Sequence, residues 1–336
     1  MLDLETLRKH DKLGMYKVYD IWPHIAKEAY QSEQDLVDFR HVDHVVFAGM
    51  GGSGALADIF SSILSKTNIH VTVVKGYHLP KTVDSNTLIV TSSISGNTVE
   101  TLTVLDSAFK SKFNIIAFSS GGTMEQYCIR NRIEHKKIHQ VHSPRASFTR
   151  FLYVMLKVLS SVIPVKKQDV FDSIKKLENL EKRISSANLN EKNPSLDLAE
   201  WIGDIPIIYY PYGLAAAAIR FKNSLQENAK IHAMAEDVLE ASHNGVVSWE
   251  KKSIVQPIMV EGADDYIKTK ERWNILKEYF KENDINYREI FSVEGSILSK
   301  LINLIYLLDY CTIYRAVLSG IDPSPIRSID FIKKRL

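Results

Sequence analysis

The sequence predicts an α/β protein built as two doubly wound α/β/α sandwiches with parallel sheets, followed by C-terminal helices. Three observations predict it. An apolar run, His44-Val45-Val46-Phe47-Ala48, ends in Gly49-Met50-Gly51-Gly52-Ser53-Gly54 and passes into a helical stretch near 55–65, which is strand, glycine turn, helix. A second run ending at Thr91-Ser92 opens through Ser93-Ile94-Ser95-Gly96-Asn97-Thr98 into the helical pattern from Val99. The same grammar restarts at Ile205-Pro206-Ile207-Ile208-Tyr209-Tyr210. Strands that are apolar throughout and alternate with helices belong to parallel sheets covered on both faces.

In order along the chain, residues 1–40 read as helices with charged residues between apolar ones. Strands are expected at 44–48, 71–74, 87–92 and 115–118, the last followed by a turn at Ser119-Ser120-Gly121-Gly122. Ser147 to Val165 is a strongly apolar helix, and Gln168 to Ser186 a Lys- and Glu-rich one with a solvated face. The expected organisation is therefore a first domain at 1–165, a connector helix at 166–195 and a second domain at 196–336. Within the second domain, strands are expected at 205–210, 254–260 and 287–291, with helices at 214–221, 269–280 and 297–318 and a short one after Pro325. No close internal identity links the halves, although their grammar is similar.

The length of 336 residues exceeds what one hydrophobic core usually serves. A net charge of +2 with no long basic run argues against nucleic acid or a membrane surface as partner. Cys128 and Cys311 lie far apart with no metal-ligand spacing, and the N-terminus lacks an apolar signal region, so a cytoplasmic protein is expected. The apolar stretch Leu301 to Ile321 is interrupted by Asp309 and Arg315 and reads as a helix buried in protein rather than a span. His135, His139 and His142 sit among Lys136 and Lys137 without the spacing of a ligand set on one helix face, so no metal is expected.

The glycine turn satisfies G-x-G-x-x-G, which raises a nicotinamide-dependent dehydrogenase. That function wants an acidic residue at the end of the second strand to hold a ribose, and the chain there reads Val73-Val74-Lys75-Gly76. The alternative use of such a turn is to bring amides and a hydroxyl, here Ser53, up to a small anion. The loop at 93–98 adds three hydroxyls, a glycine and the first amides of a helix, where unsatisfied N–H groups and the helix dipole both favour a phosphate monoester. Ser, Thr and Asn clusters also simply cap helices. Two loops at one sheet edge fit a compact phosphate better than a dinucleotide.

These two loops resemble the phosphosugar loops of the sugar isomerase (SIS) fold. Gln226-Glu227-Asn228-Ala229-Lys230, Ser242-His243-Asn244 and the ending from Gly320-Ile321-Asp322-Pro323 through Lys333 are similar to the bifunctional phosphoglucose/phosphomannose isomerase family, and the likeness runs over nearly the whole chain. The chain departs from the family where Ile94 replaces an aromatic and Leu239 a proline. The resemblance implies that Gly51, Gly52, Ser53, Ser93, Ser95 and Thr98 hold a substrate phosphate. It further implies Glu227 as the base moving a proton between C1 and C2, Arg145 facing the developing enediolate, His243 assisting ring opening and Lys333 steadying a sugar oxygen. It implies aldose-ketose isomerisation of glucose 6-phosphate and mannose 6-phosphate with fructose 6-phosphate, no cofactor, and a homodimer whose histidine comes from the neighbouring subunit.

The chemistry of the residue types agrees. A carboxylate next to a carbonyl can abstract the adjacent proton, a fixed cation stabilises an oxyanion, and histidine exchanges protons near neutrality. Each residue also has an ordinary use: Glu227 and Arg145 as surface charges, His243 as a cap, Lys333 with Lys334 and Arg335 as complement to a helix dipole. A non-catalytic SIS-type phosphosugar sensor would need the loops but not Glu227, His243 and Lys333. An isomerase or aldolase-like enzyme acting on an amino or pentose phosphate is the second rival.

Overall fold

The computed structural model describes residues 2–39 and 41–335. Two short helices open the chain, α1 (Leu4–His10), capped by the Asp3 carboxylate at the Thr6 amide, and α2 (Met15–Asp20). Both belong to a compact unit completed by Gln168–Ile326; the second unit comprises Ile21–Lys167 and the segment from Arg327.

The five-stranded unit runs α3 (Trp22–Gln31), β1 (His44–Ala48), α4 (Gly51–Leu64), β2 (His70–Val74), β3 (Thr87–Ser93), α5 (Val99–Lys110), β4 (Asn114–Ser119), α6 (Gly122–Asn131), β5 (Glu134–Lys137) and α7 (Phe148–Val158). Its sheet has the order β2-β1-β3-β4-β5, and every neighbouring pair is parallel. The central strands β1 and β3 are buried along their whole length, which is why each reads as an unbroken apolar run. One face of the sheet packs Val46, Ile89 and Ala117 against Val104, Leu105 and Cys128 of α5 and α6. The order reverses between β1 and β3, so the loops after these two strands flank the crevice where open α/β sheets take ligands.

The four-stranded unit continues with α8 (Lys167–Ile184), α9 (Pro194–Trp201), β6 (Ile205–Tyr210), α10 (Ala215–Ser224), β7 (Met234–Asp237), α11 (Val238–Ala241), β8 (Val255–Glu261), α12 (Ile267–Glu282), β9 (Arg288–Phe291) and α13 (Ile297–Leu318). The strand order is β7-β6-β8-β9, again all parallel. The Lys- and Glu-rich α8 turns Val170, Ile174, Leu177, Leu180 and Ile184 inward at helical spacing and leaves its charges outside. Asn193 caps α9 through bonds to the Ser195 and Leu196 amides, with Pro194 at the first helical position. The last helix, α14 (Arg327–Lys333), is grouped with the five-stranded unit and buries none of its residues.

Helix α13 is long and apolar enough to cross a membrane, yet 83% of its most apolar window is buried in protein. Helices of the four-stranded unit surround it, so it is apolar on all sides. Its tyrosines solve the problem of buried hydroxyls by reaching backbone oxygens: Tyr306 donates to the Tyr19 carbonyl at 2.6 Å and Tyr314 to the Ile184 carbonyl at 2.6 Å. Burial raises both phenols above their ordinary range.

Two strands lie outside the sequence expectation, β5 and β7, with the sequences EHKK and MAED. Both are edge strands, and polar residues on an edge hide the alternation that marks a buried strand.

Candidate active site

Two loops at the carboxyl ends of β1 and β3 form a cup within the five-stranded unit. Strand β1 ends at Ala48, and α4 begins at Gly51, whose φ of +54° is a left-handed conformation suited to glycine. A Cβ on Gly52 would lie 3.6 Å from Ile94 Cδ1, 3.7 Å from the Pro144 carbonyl and 3.8 Å from Arg145 Cα. The glycine turn, the second loop and the segment before α7 thus lie within ordinary contact of Gly52. The Ser53 Oγ accepts the Ile94 amide at 3.2 Å, tying the first loop to the second.

In the second loop the hydroxyls of Ser93 and Thr98 are bonded at 2.9 Å, and Ser93 Oγ accepts the Gly96 amide at 3.1 Å. Thr98 stands at the N-cap of α5 without making a side-chain cap, and Met50 at the N-cap of α4 makes none either. Two helix N-termini therefore open on the cup without carrying a side-chain cap on their first amides, which is the arrangement that takes an anion. Gly51 is exposed and Ser95 and Thr98 are half-buried, while Ser53 and Ser93 are buried. Gly51, Gly52, Ser53, Ser93, Ser95, Thr98 and Arg145 all lie in this unit.

Arg145 is buried in the turn before α7. The turn is closed by Ser147, whose Oγ accepts the Val141 amide at 2.8 Å and donates to the Val141 and Ser143 carbonyls. A cation held in a folded turn is better preorganised than one on a free surface side chain.

The cup has a third wall that sequence reasoning treated only as a turn. The Ser120 amide donates to the Ile94 carbonyl at 3.1 Å and the Met124 amide to the Gly96 carbonyl at 2.9 Å. Asn97 Oδ1 accepts both the amide and the hydroxyl of Thr123 at 3.0 Å. The signal was the glycine pair: Gly121 and Gly122 both have positive φ and let this loop approach Gly96. His135, the first of the three histidines considered for metal, bonds Ser119 Oγ through Nε2 at 2.9 Å. Lys75, where a ribose-binding acid would stand, forms an ion pair with Asp58 at 2.6 Å.

Glu227 and His243 belong to the four-stranded unit. Glu227 is half-buried and sits in a π-helical turn, Leu225–Ala229, that continues α10 and is closed by the Lys230 amide bonding the Leu225 carbonyl. Such turns are rare and cluster at functional sites. Lys230, itself at φ +58°, sends its ammonium to the carbonyls of Glu227 and Pro323, joining two of the sequence motifs. His243 is exposed just after α11, its amide bonded to the Glu240 carbonyl at 2.9 Å. Lys333 is exposed at the last residue of α14.

Residues 191–336 match the family described as bacterial phospho-glucose isomerase C-terminal SIS domain. A bifunctional phosphoglucose/phosphomannose isomerase of Caldicellulosiruptor bescii is 32% identical over 336 residues, covering 95% of this chain and 97% of the relative. One of Aquifex aeolicus is 28% identical and covers 96% of each chain. Among solved structures, a hypothetical protein of Thermus thermophilus superposes with a TM-score of 0.73 at 13% identity, covering 98% of this chain and 91% of the other, a likeness of fold.

Proposed function

This chain belongs to the bifunctional phosphoglucose/phosphomannose isomerase family, and from that premise we propose that it interconverts glucose 6-phosphate and mannose 6-phosphate with fructose 6-phosphate. The observation that carries the reading is a full-length match to such an enzyme in a chain with two hydroxyl-rich loops opening onto uncapped helix N-termini. In this reading the amides of Gly51 and Gly52 and the hydroxyls of Ser53, Ser93, Ser95 and Thr98 grip the phosphate. That grip anchors the end of the substrate that does not react, so its binding energy serves to orient C1 and C2.

His243 and Lys333 assist opening of the sugar ring, and Glu227 then removes the proton from the carbon next to the carbonyl. The electron pair left behind forms the C1–C2 double bond of a cis-enediolate, and the carbonyl π pair moves onto oxygen beside the Arg145 guanidinium. Returning the proton to the other carbon, while the hydroxyl proton passes between the oxygens on C1 and C2, completes the exchange with no net redox change and no external reactant. C2 is planar in the enediolate, so the glucose and mannose isomers share it, which makes dual specificity chemically natural. We further place the protein in the cytoplasm, in the sugar phosphate exchanges of glycolysis and gluconeogenesis, as a homodimer in which the partner supplies the histidine.

A coupled assay that follows fructose 6-phosphate in the presence of a chelator tests the reading, with both aldose products measured separately. Turnover to glucose 6-phosphate and mannose 6-phosphate is expected. Phosphosugar binding without turnover would favour the sensor, and loss of activity on chelation would overturn the metal-free mechanism.

A further inference from the structure

The carboxylate proposed as base sits on a π-helical continuation of α10, and a second helix of the same unit bonds to both segments. Three side chains one turn apart on α10 and its continuation, Arg220, Ser224 and Asn228, face α13. Asp309 of α13 is fully buried. Its carboxylate accepts Arg220 Nη2 at 2.6 Å and Nε at 3.0 Å, Ser224 Oγ at 2.8 Å and the Tyr19 hydroxyl at 3.0 Å. One helical turn on, Thr312 Oγ1 donates to the Asp309 carbonyl at 2.6 Å and accepts Asn228 Nδ2 at 2.8 Å. Asn228 and Thr312 are both fully buried.

The chain of bonds runs from α13 to Ser224, three residues before Glu227, and to Asn228, the residue after it. A π turn contains one residue more than the α-helical turn it replaces, and its backbone bonds are less favourable. Relaxation to an α-helix would turn every later side chain by roughly 100° about the axis and shift it by roughly 1.5 Å. The Asn228–Thr312 bond ties the residue next to Glu227 to α13. Ser224 and Asn228 are four residues apart, as Arg220 and Ser224 are, and their bonds to α13 hold both ends of the stretch that carries Glu227. Glu227 itself is half-buried, and Lys230 bonds its carbonyl, so the turn is also held at its end.

We infer that Asp309, Thr312 and Asn228 are positioning residues for Glu227, fixing the direction of its carboxylate by hydrogen bonds from α13 to the π turn. The inference rests on Glu227 being the base. It makes the polar positions of α13 part of the isomerase machinery rather than tolerated breaks in an apolar helix.

Thr312→Val removes the hydroxyl at nearly constant shape, and Thr312→Ser keeps it. For Thr312→Val we expect kcat for fructose 6-phosphate to fall by about 10- to 100-fold with KM changed by less than about two-fold, the pattern of an interaction realised in the transition state. Thr312→Ser should keep kcat within about three-fold of the parent. In a Glu227→Gln background, Thr312→Val should change the residual rate by less than about two-fold, because a residue acting through another has no effect once that other is gone. Asn228→Ser carries the same comparison from the other end of the bond if Thr312→Val yields no folded protein. The inference is overturned if Thr312→Val keeps kcat, if its loss appears in KM, if Thr312→Ser loses as much, or if the loss persists undiminished without Glu227. Full turnover by Glu227→Gln alone would instead remove the base assignment and this inference with it. An inactive Glu227→Gln beside a fully active Thr312→Val removes only the inference.

Discussion

Replacing Gly96 by alanine tests whether the cup is set by backbone approach. Gly96 has φ +73°, and a Cβ there would lie 1.8 Å from the Gly121 carbonyl oxygen and 2.7 Å from its carbon. The left-handed conformation alone costs a residue with a side chain about 1–2 kcal/mol. The steric overlap adds to this, because relieving it requires the loops to part by about 1 Å, and displacements of that size cost roughly 100-fold in rate when they reach a substrate-positioning group. The strain has no easy outlet, since the Met124 amide holds the Gly96 carbonyl at 2.9 Å and Asn97 holds Thr123. Ser95 and Thr98 flank the displaced residue. Initial rates on fructose 6-phosphate should show kcat/KM reduced by about 100-fold, chiefly through KM, with inorganic phosphate losing affinity as an inhibitor in parallel. Gly51→Ala supplies the contrast: its φ is also positive, but a Cβ there meets nothing within 4 Å, so it should carry only the backbone cost of about 1–2 kcal/mol. A Gly96→Ala enzyme with the parent's KM and phosphate inhibition would refute the close-approach argument.

Other outcomes follow from single groups. Asp309→Ala removes the buried counter-charge of Arg220 and should destabilise the protein by about 3–5 kcal/mol, read by denaturant unfolding; a change within experimental error would mean the pair is not buried as described. Burial, aided by Lys137 and opposed by Glu125, holds His135 below the ordinary histidine range. The unfolded chain therefore binds that proton first, so stability should fall as pH drops below about 6.5 and level off beneath the folded value. His135→Asn should flatten part of that slope in melting curves, and an unchanged slope would assign it elsewhere. Burial pushes the Cys128 thiol up to about 11 and Cys311 higher still, so neither should react with an aromatic disulfide reagent until denaturant is added. Rapid native labelling of either would contradict their burial.

Where the chain is buried on both faces, the sequence was transparent: Val45-Val46-Phe47 and Leu88-Ile89-Val90 read as parallel strands because both faces of each are covered. The cup was legible for the same reason, since glycines and hydroxyls between such a strand and a helix have few other uses. Strands β5 and β7 were not, because Glu134-His135-Lys136-Lys137 and Glu236-Asp237 occupy sheet edges where charge keeps other strands away. Asp309 was visible only as an interruption of an apolar helix; its meaning lies in Arg220 and Ser224, 89 and 85 residues away in sequence. Glu227 is singled out by the resemblance of its motif and not by periodicity, because a π turn of five residues leaves no hydrophobic signature. The third wall of the cup was hidden in a glycine pair whose partner loop only the fold reveals.

The most direct measurement is proton exchange at the substrate carbons in heavy water, followed by NMR for the parent enzyme and for Glu227→Gln. The parent should label fructose 6-phosphate and both aldose phosphates from solvent, and Glu227→Gln should still bind fructose 6-phosphate while exchange and turnover fall together by about 100- to 10,000-fold, the usual contribution of a positioned base. Exchange at the parent rate in Glu227→Gln would contradict the role of Glu227 as that base.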